Sequence, residues 1–240
     1  MIISWFSAGV SSAVATKIAI DRIDRIFYTH IDDHHEDTMR FVRDCEQWFG
    51  KKIDIVQSEF LSVEAACLHA GGKGYINGPT GAACTRILKR DLRKKIEYDF
   101  PVGEKVTYVW GFDNTESDRA DRVCDHMIDF GHIFPLIDRG ISKKHAHEIL
   151  RASGIKRPAM YDLGYNNNNC IGCVKGGMGY WNHIRRDFPD VFQARSRLER
   201  TIGHSCIKGC FLDELDENTG IESKPIVDDC GILCGIMSIK

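Results

Sequence analysis

The chain has almost no net charge and no long apolar run. Thirty-two Lys and Arg stand against 34 Asp and Glu in 240 residues, leaving a formal charge of −2. Near-neutrality removes any bulk electrostatic case for nucleic-acid binding. No stretch approaches the roughly twenty apolar residues of a membrane span, and no basic-then-apolar segment marks a leader. A transmembrane helix is therefore excluded, and a cytoplasmic protein is expected. Prolines number only six, so most of the chain is free to form helix or strand. Two familiar phosphate signatures are also missing. There is no Gly-Lys-Ser/Thr of a Walker A loop and no Gly-x-Gly-x-x-Gly.

What remains is ordinary globular material, 43% apolar and 28% charged. Apolar patterning predicts strands over 2–6, 25–30, 52–57, 106–111 and near 132–135. Helical patterns lie between them, over 10–21, 37–49, 60–69, 85–98 and 117–128. Strands separated by helices imply an α/β fold with a doubly wound, mostly parallel five-stranded sheet. Further helices are predicted over 142–152, 180–187 and 190–200. We divide the chain into a nucleotide-binding α/β part, 1–140, and a helical, cysteine-rich part, 141–240, packed on it. The Gly- and Pro-rich stretch 71–83 reads as a mobile loop. Basic runs at 89–95 and 195–200 read as solvated helix faces.

The first twenty residues say most about function. An apolar strand is followed by Ser7-Ala8-Gly9-Val10-Ser11-Ser12 and then a helix. Such a turn presents backbone N–H groups at the positive end of a helix dipole, a seat for phosphate. Gly9 lets the backbone approach an anion, and the serine hydroxyls add donors. Segments 30–33 and 111–116 follow other strands, and in parallel sheets ligands bind beyond the strands' carboxyl ends. All three should meet in one crevice. Arg86 and Lys89 lie one turn apart and suit anionic oxygens, as do Arg119 and Arg122.

Ten cysteines without a leader point to a reducing compartment and to metal, cluster or redox chemistry rather than disulfides. Cys45, Cys67 and Cys124 read as core residues. Cys170-Ile171-Gly172-Cys173 can bind zinc or an iron–sulfur cluster, or act as a redox dithiol. Cys206, Cys210, Cys230 and Cys234 follow. The tail from 225 is too apolar to hang in solvent and is expected to fold back toward Cys170 and Cys173.

Five segments, in order, resemble the PP-loop ATP pyrophosphatase superfamily and within it the 3′-phosphoadenylylsulfate (PAPS) reductases. The 7–12 loop is similar to Ser-Gly-Gly-x-x-Ser, with Ala8 for the first Gly. The others are Tyr28-Thr29-His30-Ile31-Asp32-Asp33, Cys84-Thr85-Arg86-Ile87-Leu88-Lys89, Gly111 through Glu116-Ser117 to Arg119, and Tyr161-Asp162-Leu163-Gly164-Tyr165. The resemblance implies a PP-loop fold and an ATP or adenylyl sulfonucleotide cofactor with Mg²⁺. It implies nucleotide contacts from Ser7, Ala8, Gly9, Val10, Ser11, Ser12, Asp32, Arg86, Gly111 and Glu116, and catalytic roles for Cys230, Arg119 and Lys89. Set beside the family's cluster cysteines, Cys84, Cys170 and Cys173 would hold a 4Fe-4S cluster with one open iron. A second reading groups Cys170, Cys173, Cys230 and Cys234 as one four-thiolate site for a cluster or Zn²⁺, with Cys206 and Cys210 able to replace or supplement either pair. Asp229-Cys230-Gly231 partly matches the family's nucleophile segment, but Leu233 stands where its His would be. Cys230 is thus either nucleophile or ligand.

Three functions follow as expectations. One is reduction of, or sulfur transfer from, a sulfonucleotide, with a thiol reductant protein as partner. The second is ATP-dependent adenylation of a nucleobase or small-molecule acceptor with release of pyrophosphate. The third is a nucleotide-binding regulatory protein that lost its chemistry. A homodimer suits all three.

Overall fold

The computed structural model describes residues 1–79 and 81–222. Five strands form one sheet in the order β3-β2-β1-β4-β5, and it is parallel throughout. They are β1 (Ile2–Trp5), β2 (Arg25–His30), β3 (Ile53–Gln57), β4 (Thr107–Val109) and β5 (Gly131–Ile133). Helices α1 (Val10–Ile18), α2 (Asp37–Phe49) and α3 (Val63–His69) follow the first three strands. Then come α4 (Asp91–Tyr98), α5 (Ser117–His126), α6 (Lys143–Ala152), α7 (Ala159–Asp162), α8 (Met178–Asp187) and α9 (Pro189–Ile202). This is the α/β architecture expected of a doubly wound sheet. Among the described residues no helix is long and apolar enough to cross a membrane.

The chain separates into two compact units whose segments alternate. Unit 1 comprises Met1–His30, Glu36–Val56 and Lys95–Ala159, and unit 2 comprises Ile31–His35, Gln57–Lys94 and the described residues from 160 to 222.

In unit 1, α1 is built from small and β-branched residues, and every position from Val10 to Thr16 is buried. One side hydroxyl pair is shared across the core, Ser4 Oγ with Thr16 Oγ1 at 2.7 Å. Helix α2 buries Phe41, Val42, Cys45 and Phe49, a stripe at helical spacing, and ends on Gly50 in the left-handed region, φ 66°. Ser142 caps α6 by accepting from the His145 N–H at 3.3 Å.

Three expectations over the helices change. The run over 10–21 stops at Ile18 and tightens into a 3₁₀ turn, Ile20–Arg22. The run over 85–98 begins as a π-helical segment, Thr85–Arg90, before α4. Helix α7 was not legible. It starts after Pro158, where the Asp37 carboxylate accepts from the Ala159 N–H at 2.9 Å, a cap from 122 residues away in sequence.

In unit 2, Trp181, Ile184, Val174, Leu212 and Leu88 are buried, and Ile76, in the middle of the glycine-rich loop, is 0% exposed. The basic runs are not simply solvated. Lys89, Arg93 and Arg195 are buried, because each lies on the core side of its helix while its basic neighbours face out. Cys124, expected in the core, is exposed, since it falls between Asp121 and Asp125 on the polar side of α5.

Candidate functional site

The sheet order reverses direction at β1, with β2 on one flank and β4 on the other. Such a switch point leaves a crevice outside the strands' carboxyl ends. The turn from β1 to α1 and the segment after β4 meet there. A Cβ placed on Gly111 would stand 2.6 Å from Ser12 Cα and 2.8 Å from Ser12 N. The backbone after β4 thus runs against the first turn of α1, and only glycine fits.

The turn has a defined internal structure. Ala8 is fully buried and holds a left-handed φ of 56°. Gly9 is extended, φ −93° and ψ 160°, and occupies the N-cap position without a side-chain cap. Ser7 N–H donates to Ser12 Oγ at 3.1 Å, and Thr16 Oγ1 donates to the Ser12 carbonyl at 2.8 Å. Ser12 therefore braces the loop. Ser7 Oγ is buried and has no hydrogen-bond partner among the described residues, and the same holds for Thr29 Oγ1 near the end of β2. An unsatisfied buried hydroxyl costs about 1–3 kcal/mol, a cost that an anion's oxygens would remove.

After Gly111 the chain is held by its own side chains. Asp113 Oδ1 accepts from Thr115 N–H at 2.8 Å and from Thr115 Oγ1 at 2.6 Å. Glu116 accepts from the Asp113 N–H at 3.1 Å and pairs with Arg119 Nη1 at 2.5 Å. Arg119 is buried and lies 4.3 Å over the Phe112 ring. Glu116 and Arg119 are thus joined to each other at the head of α5. Phe112 in turn stacks with Trp110 and Phe134 at centroid distances of 5.6 and 6.0 Å.

Unit 2 carries the other expected residues. Asp32 is exposed and accepts from Gln57 Nε2 at 3.1 Å. Arg86 is exposed, Lys89 is buried, and Cys84 is half-buried just before the π-helical segment. Cys170 and Cys173 are buried in a tight turn. Tyr180 Oη accepts from the Cys173 N–H at 2.8 Å and donates to the Cys170 carbonyl at 3.3 Å. Gly172 between them has φ 68°, and a Cβ there would reach 2.6 Å from Val191 Cγ1. Burial, with the two thiols beside it, pushes the Tyr180 hydroxyl well above its ordinary value.

One buried ion pair anchors this turn. Arg195 pairs with Asp33 and donates through Nε to the Gly172 carbonyl at 3.3 Å. Asp33 also accepts from the Val63 N–H at 2.6 Å, and its carbonyl accepts from Ile171 N–H at 2.8 Å. Nearby, burial pushes the Cys67 thiol up to about 12. Burial and Glu199 raise the Cys206 thiol also. Both stay protonated and unreactive near neutral pH. No three His, Cys, Asp or Glu side chains among the described residues are grouped to hold a metal ion. Cys230 and Cys234 lie outside the described residues.

Sequence reasoning missed Thr29, Tyr180 and the Asp33–Arg195 pair. Asp33 was visible as an acid after β2, but its partner is distant in the chain. The chain matches no protein-family model and no curated protein.

Proposed function

We propose that the chain is a nucleotide-dependent enzyme of the PP-loop type, similar to PAPS reductases, whose unit 1 seats the phosphates of ATP or an adenylyl sulfonucleotide. The observation that supports this reading is the β1–α1 turn closed by Gly111, with an uncapped helix N-terminus and a buried, unpartnered Ser7 hydroxyl beside it. Backbone N–H groups and the helix dipole take up phosphoryl charge, and Ser7 Oγ donates to an oxygen. Because Glu116 already neutralises Arg119, Arg119 acts by holding the turn after β4 and not as an independent anion clamp.

The chemistry on the bound nucleotide would be sulfur transfer or reduction, with Cys230 as the thiol candidate. The described thiols do not by themselves fit a 4Fe-4S cluster or Zn²⁺. Cys170 and Cys173 make one pair, and no third ligand joins them among the described residues. Isothermal titration with ATP and PAPS tests the nucleotide seat. Sulfite release from PAPS with a thiol reductant supports the reductase reading, and pyrophosphate release from ATP without sulfite reassigns the enzyme to adenylation. Absence of binding to either nucleotide overturns the proposal.

A further inference from the structure

A cavity in unit 1 lies beside α6, and its lining shares no residue with the β1–α1 turn. It has a volume of about 440 Å³ and is lined by α6 and by the segment that follows it. Lys144, His147, Glu148 and Arg151 come from α6, and Lys156 and Arg157 from the following segment. Leu150 and Ile155 supply apolar floor. Three lining cations, Lys144, Arg151 and Lys156, therefore stand with one lining carboxylate, Glu148, in a chain whose net charge is −2. Among the described residues, no carboxylate pairs with Lys144, Arg151 or Lys156. Like charges gathered around one hollow repel, and an anion reverses the sign of that energy.

The far wall is rigid. Arg40 donates to the Lys156 carbonyl at 2.7 Å and the Arg157 carbonyl at 3.1 Å. Arg40 is fixed in turn by Asp37 and Asp44 of α2, at 2.6 and 2.8 Å. The backbone bearing Lys156 and Arg157 is thus held against α2. We propose that this cavity is a binding site for a phosphate monoester, separate from the nucleotide seat. Arg151 gives a planar, bidentate donor for phosphate oxygens, Lys144 and Lys156 add charge, and the apolar floor takes the body of the ester. The volume suits a ligand of mononucleotide or sugar-phosphate size.

His147 reports occupancy. Burial, then Arg157 and Lys143, push its imidazole down to about 4. Lys17 belongs to α1, which packs against α6, but its ammonium is turned to the Trp48 carbonyl. A phosphate in the cavity, a monoanion at the pH where His147 titrates, offsets the cations and raises the His147 pKa. The experiment is NMR titration of the imidazole signals, with His147 assigned from His147→Gln. Inorganic phosphate, AMP and a short 5′-phosphorylated single-stranded oligonucleotide are the probes. It is run on the intact chain and on Gly9→Val, so that loss of the nucleotide seat does not hide the result. A pKa rise of one unit or more with AMP, kept in Gly9→Val and lost in Arg151→Glu/Lys156→Glu, supports the site. The same rise with the oligonucleotide alone identifies the source of the phosphate as a nucleic-acid end. No movement of the His147 signal with any probe at millimolar concentration overturns the proposal. So does movement that 0.3 M NaCl abolishes for every probe alike.

Discussion

Gly111 and Ser12 are in backbone contact, and the space between them has no room for one methyl group. Two segments a hundred residues apart in sequence are thereby held as one surface at the sheet's switch point. Gly111→Ala should force them apart. We expect a loss of about 1–3 kcal/mol in urea unfolding and at least a tenfold loss of ATP affinity by calorimetry. Wild-type values for both would show that the contact is slack.

Ala8 tests the turn from inside. Its left-handed φ costs an L-residue roughly 1–2 kcal/mol, and its buried methyl is worth about 0.8 kcal/mol. Ala8→Gly should therefore change stability by less than about 1 kcal/mol, the two effects offsetting. Ala8→Val adds a branched side chain where none is tolerated and should cost more than 2 kcal/mol. Chemical denaturation of the pair decides, and equal losses for both would refute the account.

The Asp33–Arg195 pair should behave as a buried ion pair. Arg195→Met leaves the Asp33 carboxylate with the Val63 N–H as its remaining anchor, at an expected cost of about 3–5 kcal/mol. Restoring neutrality with Asp33→Asn in the same chain should recover part of that loss. A double variant less stable than either single one would contradict the pairing.

Acid should weaken unit 1 through His147. Its folded value near 4 lies below the ordinary value of 6.5, so the unfolded chain binds the extra proton first. The contribution is complete above pH 6.5 and is lost as pH falls from there toward 4. His132, also lowered by burial, acts in the same direction. The His147 side chain is only partly buried, so the loss is on the order of 1–2 kcal/mol after screening. Unfolding midpoints at pH 7 and pH 5 should differ less in His147→Gln than in the wild type.

The sulfur chemistry is tested separately. Metal analysis of anaerobically purified protein should find iron or zinc only if thiols beyond Cys170 and Cys173 join them. Cys170→Ser/Cys173→Ser should then lose it. Wild-type metal content in that double variant would rule these two cysteines out as ligands.

Much of this was legible in the sequence for local reasons. The strand–turn–helix from Ile2 to Ile18 shows in apolar runs bounded by small residues, and α2 appeared with both ends placed as observed, because Phe41, Cys45 and Phe49 repeat at helical spacing. What was not legible depends on distant partners. The α7 cap comes from Asp37. The burial of Arg195 follows from Asp33, and a basic residue in the run 195–200 carries no mark of it. The Glu116–Arg119 pair is three residues apart and was readable as such, yet the resemblance assigned Glu116 to nucleotide contact and Arg119 to catalysis. The cavity beside α6 needed the fold of 155–157 and Arg40 to exist at all.

The strand order has a consequence in time. The central strand β1 meets β2 soon after both are made, but its other neighbour, β4, begins only at Thr107. At ribosomal rates the edge of β1 stays unpaired for about 5–20 s. An open edge is a template for wrong pairing. The crowded contact at Gly111 arrives with β4, so the step that covers this edge also finishes the phosphate turn. A nascent chain halted before residue 107 would expose a sticky strand and hold no completed nucleotide seat.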